Sequence, residues 1–258
     1  MVLDLDSSGF TFDVVADKAP GGFGIIHGLS GVGKTFVAVG VSRAGSEAGT
    51  YGVICDCENG TRHYAGVRIV TPTSETNMLE IFHKFSESNN PEHRVLFVDT
   101  ISQFVDQQVA PGICRRHGAD SLASVPYGKG VAETVNFARK FCDAADYLAA
   151  KGKWLIALCH SQAKTVNDPA QGTYDRVGLK LPQPFADLLT ERADFVGYAY
   201  RSLVTRKVDN RTIATGVGGG GGDRLIQFQP TPSVLAKSRL GHTEAALPLS
   251  WASLGIKF

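Results

Sequence analysis

Unbroken apolar runs of strand length alternate with stretches of helical spacing over most of this chain. The runs are "GFGIIHG", "YGVICD", "RVLFVD" and "WLIALC", each the length of a strand buried on both faces. The first leads through a glycine loop into a helix ending near Gly49. "SETNMLEIFHKFSES" opens on Ser74, a cap-type residue, and then spaces Met78, Ile81, Phe82 and Phe85 as one helical face. The longest predicted helix runs from about Lys129 to Lys151. Val131, Val135, Ala138, Cys142, Ala145 and Leu148 form its apolar stripe, and Gly152 closes it. "FADLLTERA" predicts a further short helix before the strand "DFVGYAY". "FTFDVV" near the start and "RIVTP" read as short extended pieces, and the segment up to Tyr127 as irregular.

Beyond "DFVGYAY" the pattern changes to alternation: "LVTRKV", a turn at "DN", "TIATGV" and "LIQFQ". Strands alternating with helices, then strands alone, predict an α/β fold. Its sheet is mainly parallel, covered by helices and extended by C-terminal antiparallel hairpins. Residues 1–258 read as one domain, with a core over about 22–200 and the hairpin extension over about 201–258. No internal repeat is visible. The glycine run Gly216 to Asp223 lacks a lysine and a following helix, so it reads as a flexible hairpin tip.

Composition narrows this little. The chain has 258 residues, 43% of them hydrophobic, with 26 Lys and Arg against 25 Asp and Glu. Global charge therefore gives no reason to expect nucleic acid or membrane, and any such surface must be local. No apolar run has membrane-spanning length and the N-terminus lacks the basic start and apolar core of a signal peptide. Five cysteines without a C-x-x-C pair read as reduced thiols in a cytoplasmic protein.

The chemistry is concentrated in "GLSGVGKT", Gly28 to Thr35, which matches G-x-x-x-x-G-K-[ST] between a strand and a helix. Backbone N–H groups of Gly28, Leu29, Ser30, Gly31, Val32 and Gly33 would curl around phosphate oxygens at a helix N-terminus. Lys34 would bridge the β- and γ-phosphates of ATP, and Thr35 would ligate Mg2+. Asp99, ending "VLFVD", can reach that cation; its alternative is an ordinary cap of the next helix. Asp56 and Glu58 are two apart and face one side in extended geometry. Either could orient an attacking water, and either could be a polar loop start. Cys55, Cys57 and His63 lack a fourth ligand at zinc spacing, so buried thiols are favoured. Lys237 and Arg239 are also two apart and share a face, as a solvated edge, a nucleic-acid contact or part of a catalytic site.

"GLSGVGKT", "VICDCENG", "LFVDTIS", "WLIALCHSQ" and "LAKSRLG" come in the order and approximate spacing of the RecA superfamily. The chain resembles its RecA/RadA-like phage nucleotide-binding members, associated with recombination and single-strand annealing. That resemblance implies a RecA-like P-loop core with the strand after the long helix lying between the P-loop strand and the Asp99 strand. It implies Glu58 as catalytic base, and His160, or nearby Gln162, as sensor of the γ-phosphate. It implies Lys237 and Arg239 as cations reaching a neighbouring subunit's γ-phosphate, so that ATP lies between copies of a homo-oligomer.

The same resemblance implies two mobile DNA-binding loops. They would fall at about Val109 to Tyr127, with Arg115, Arg116 and His117, and at about Ala163 to Lys180, with Lys164, Tyr174, Arg176 and Lys180. Cations for phosphates and an aromatic ring for bases suit single-stranded DNA. The implied activity is a DNA-stimulated ATPase that promotes annealing or strand exchange. A helicase-like or regulatory ATPase with another partner, or a small-molecule P-loop kinase, is the alternative.

Overall fold

The computed structural model describes residues 21–43, 51–170, 172–208, 211–216 and 222–256. Strand β1 (Gly22–Gly28) runs into helix α1 (Lys34–Ser42), and β2 (Gly52–Asp56) and β3 (Ile69–Val70) precede α2 (Glu75–Ser86). The Ser74 hydroxyl accepts the Asn77 N–H at 3.1 Å, the predicted cap. Strand β4 (Val95–Asp99) leads into α3 (Ile101–Phe104), a π-helical turn (Val105–Val109) and α4 (Ala110–His117). The long helix α5 (Lys129–Ala150) then feeds β5 (Trp154–Asp168), which turns back as β6 (Gly172–Leu179). Helix α6 (Gln183–Arg192) and β7 (Phe195–Arg201) follow.

The remaining strands are β8 (Leu203–Val208), β9 (Arg211–Gly216), β10 (Arg224–Gln227), β11 (Lys237–Ser238) and β12 (Leu247–Pro248). The main sheet has the order β12-β10-β7-β1-β5-β4-β2-β3, with β11 also on β7 and β6 on β5. Pairing is parallel from β7 across to β3 and antiparallel where β10, β11 and β6 join. Strand β5 does lie between β1 and β4. Strands β8 and β9 form a separate ladder.

Strand alternation divides the core in two. Phe23, Ile25, Leu96, Val98, Leu155 and Ala157 face α2 to α6, while Ile26, Phe97, Trp154, Ile156 and Leu158 face α1 and the C-terminal segment. The buried stripe of α5 is rotated from the predicted one. Phe137 and Phe141 take its centre, Phe141 stacking edge-on against Phe23, Phe82 and Phe137, and Val131 is left exposed. The larger rings remove more apolar area from water than valine does, so they set the buried face.

Two predicted loops are regular structure instead. The segment after Thr100 is helical through His117, Pro111 being accommodated just after the π turn, where the i–4 hydrogen bond it lacks is already out of register. The Ala163–Lys180 segment is the β5–β6 hairpin, paired from Ser161↔Leu179 to Asp168↔Gly172. Gly216, the first residue of the glycine run, pairs with Leu203 at the end of the β8–β9 ladder. Residues 217–221 of the run, the "DN" turn, "FTFDVV" and the predicted continuation of α1 to Gly49 lie outside the described residues.

Candidate nucleotide site

In register, Gly28 of β1 pairs with His160 of β5, Asp99 of β4 with Leu158, and Asp56 of β2 with Asp99. The parallel sheet thus brings the ends of β1, β2 and β4 and the middle of β5 to one edge, where open α/β sheets bind ligands. The P-loop turns above it with Gly31 at φ 77° and Gly33 at φ 113°. These are left-handed values that a side chain would strain, so the motif's glycines are dictated by the backbone path. Lys34 Nζ donates to the carbonyls of Gly28 at 3.0 Å and Leu29 at 3.1 Å. Burial depresses its pKa, against the opposing pull of Asp99 and Glu58.

Asp56 and Glu58, alike in the sequence, have different surroundings. The Asp56 carboxylate is buried and accepts the N–H groups of Glu58, Gly60 and Thr61, and the Thr61 hydroxyl. It holds the turn that presents Glu58. Glu58 Oε1 accepts from the Thr100 hydroxyl and meets His160 Nε2 at 2.9 Å. Burial would raise its pKa, but hydrogen bonds from His160 and Thr100 and the nearby cations outweigh it, and the carboxyl sits below the usual range. His160 lines the same pocket, whereas the Gln162 amide turns to the Leu179 carbonyl.

Asp99 is buried, and its Oδ1 has no hydrogen-bond partner among the described residues. Burial pushes this carboxyl up to about 6, although the Thr35 hydroxyl hydrogen-bonds to it and lowers it. An orphaned carboxylate oxygen beside a hydroxyl, both hard donors, fits a divalent cation such as Mg2+. Thr100, not Asp99, caps the following helix by accepting the Gln103 N–H at 3.3 Å.

The pocket bounded by the P-loop, Glu58, Asp99 and His160 measures about 220 Å³. Thr100, Phe36, Tyr64 and Arg224 also line it. None of these four was singled out as a site residue in the sequence. Thr100 and Phe36 directly follow recognised motifs, whereas nothing in the spacing ties Arg224 to the P-loop. A family model described as "AAA domain" matches residues 23–240, most of the chain. The chain belongs to the AAA domain family. It is thus a P-loop ATPase of the AAA type, a class that binds nucleotide, usually with Mg2+, and often oligomerises. No curated protein matches it. No helix among the described residues is long and apolar enough to cross a membrane.

The other predicted residues lie away from this pocket. Lys237 Nζ donates to the carbonyls of Thr190 at 2.9 Å and Glu191 at 2.8 Å; Arg239 donates to Glu191 at 3.2 Å and pairs with Asp194 at 3.5 Å. Both cations engage the C-terminal end of α6, where free carbonyls and the helix dipole favour positive charge. Arg116 pairs with Glu133 and Glu75, and His117 with Glu133, while Arg115 lines a separate surface pocket. Lys164 and Arg176 sit opposite each other on the hairpin and line a groove over α6. Lys164 donates to the Leu181 carbonyl and to Gln183; Arg176 donates to the Pro232 carbonyl and to the Tyr174 hydroxyl. Lys180 lies 4.0 Å from Asp106. The structure thus brings the P-loop, Glu58, Asp99 and His160 together, and leaves the basic residues in separate places.

Proposed function

We propose that this AAA ATPase couples ATP hydrolysis to single-stranded DNA, assembling on it and promoting annealing or strand exchange. The observation that carries the coupling is the continuity of β5. One strand of 15 residues begins in the core sheet, passes His160 beside Glu58, and continues into the hairpin bearing Lys164. A ligand that shifts the hairpin would act on the carboxylate through a rigid element. The motif order shared with RecA relatives supports DNA as that ligand.

In this reading the P-loop N–H groups and Lys34 hold the β- and γ-phosphates. Glu58 orients the attacking water and takes its proton, and His160 and Thr100 fix where its carboxylate points. Thr35 and Asp99 would hold Mg2+, which neutralises charge building on the phosphates. Lys237 and Arg239, outside their own chain's pocket, would reach the γ-phosphate of a neighbouring copy.

A second reading has a specific observation behind it. The hairpin cations face a groove over α6 and already donate to protein carbonyls, an arrangement suited to a protein partner. Hydrolysis measured alone, with single-stranded DNA and with nucleosides, alongside assembly mass, separates the readings. Stimulation and a larger assembly with DNA are expected. Indifference to DNA moves the function to a protein partner, and phosphate transfer to a nucleoside makes the chain a kinase.

A further inference from the structure

Arg224 is a cation at the nucleotide pocket to which neither the motifs nor the coupling described above gives a role. The sheet order fixes which end of a nucleotide it would meet. The P-loop strand β1 has β5, β4 and β2 on one side, carrying His160, Asp99 and the turn to Glu58. On its other side come β7 and then β10, which begins at Arg224. A γ-phosphate directed at Glu58 places the nucleoside end on the β10 side of the loop.

The local geometry there is a flat, open stack. Phe36 occupies the first turn of α1 and is 55% exposed, an unusual position for phenylalanine. The Arg224 guanidinium lies over that ring, 5.6 Å from its centroid. A methyl group at Gly33 would come to 3.1 Å of both Arg224 Cδ and Nη1, so the side chain lies against the P-loop backbone itself. Its own backbone is held by pairing with Arg201 of β7 and by the Leu249 N–H. Among the described residues no carboxylate forms an ion pair with it.

We propose that Phe36 and Arg224 form the nucleobase subsite, holding the base by its flat face. This rests on the P-loop reading of the pocket. A planar guanidinium stacks on aromatic rings in a way an ammonium does not, and base stacking on such platforms contributes substantially to binding.

The test compares two probes, MgATP and inorganic tripolyphosphate with Mg2+, binding to the full chain by calorimetry. Arg224→Ala is expected to weaken MgATP by about tenfold and leave tripolyphosphate within about twofold, the range set by cation–π and stacking strengths. Arg224→Lys should weaken MgATP equally, because it keeps the charge and loses the plane. Phe36→Leu should follow the same pattern, with circular dichroism confirming that each variant is folded. Restoration by lysine, or equal loss of both probes, would make Arg224 a phosphate contact and overturn the subsite; so would an unchanged MgATP affinity in Arg224→Ala. Lys34→Ala separates the two levels: it should lose both probes, and if it retains both, the P-loop reading itself fails.

Discussion

His160 Nε2 and Glu58 Oε1 lie 2.9 Å apart, although 102 positions separate them in the chain. The contact joins the turn after β2 to the middle of β5, and the Thr100 hydroxyl at the end of β4 donates to the same oxygen. The ends of β2 and β4 and the middle of β5 therefore converge on one carboxylate. Since these bonds favour its charged form, Glu58 is ionised at neutral pH and able to accept a proton.

Glu58→Gln keeps the shape and removes the base. ATP affinity should stay within a few-fold, while kcat falls by about a hundredfold or more, the usual scale of general-base loss. Single-turnover hydrolysis beside equilibrium binding measures both. Normal hydrolysis in this variant would assign the water to another group.

Asp99→Ala tests the cation. The Mg2+ concentration giving half-maximal hydrolysis should rise by about tenfold or more, because a hard anionic donor is lost. Chelation of divalent ions should abolish turnover in the unaltered protein. A variant with unchanged Mg2+ dependence would show that the orphaned Asp99 oxygen faces something else.

The nucleotide pocket was largely legible in the sequence because a P-loop and a strand-end acid are contiguous signals whose mechanism fixes their spacing. Asp56 and Glu58 could not be told apart, since only the folded turn shows one accepting three backbone N–H groups and the other facing His160. The β5–β6 hairpin hid as a loop because "SQAKTVND" has almost no apolar alternation, its outer face being exposed. Helix α4 lies in the segment read as irregular, because Pro111 and Gly112 disfavour a helix and the π turn that precedes them is not visible in residue spacing. Arg224 reaches the P-loop only through the sheet order, which no local pattern encodes.

Mixing subunits tests the cations at the end of α6. Arg239→Ala and Glu58→Gln should each be inactive alone, and active together if Arg239 serves a neighbour's pocket. In a mixed assembly some interfaces combine an intact Glu58 with an intact Arg239 from the adjoining copy. The local role of Arg239, an exposed pair with Asp194, contributes at most about 1 kcal/mol to folding, so instability would not imitate the result. Hydrolysis that stays at background in all mixtures removes the intersubunit role.

His27 gives the fold a pH dependence of its own. It is buried directly before the P-loop, with Nδ1 2.8 Å from the Ser161 hydroxyl and Nε2 2.7 Å from the Leu235 carbonyl. The carbonyl can only accept, so Nε2 carries the proton and Nδ1 receives the serine hydroxyl. Burial lowers its pKa from 6.5 to about 4, against the raising effect of the Leu235 carbonyl. Between those values the unfolded chain binds a proton that the folded chain does not, so stability rises with pH and is lost as pH falls from 6.5 toward 4. Asp99, raised to about 6, acts in the opposite direction over part of that window, so the comparison must be with a variant at position 27. From pH 7 to pH 5 the unaltered protein should lose about 2 kcal/mol more than His27→Gln, whose amide does not titrate. Urea unfolding at the two pH values measures the difference. Equal losses would mean that the imidazole is protonated in the folded protein and that both ring nitrogens donate.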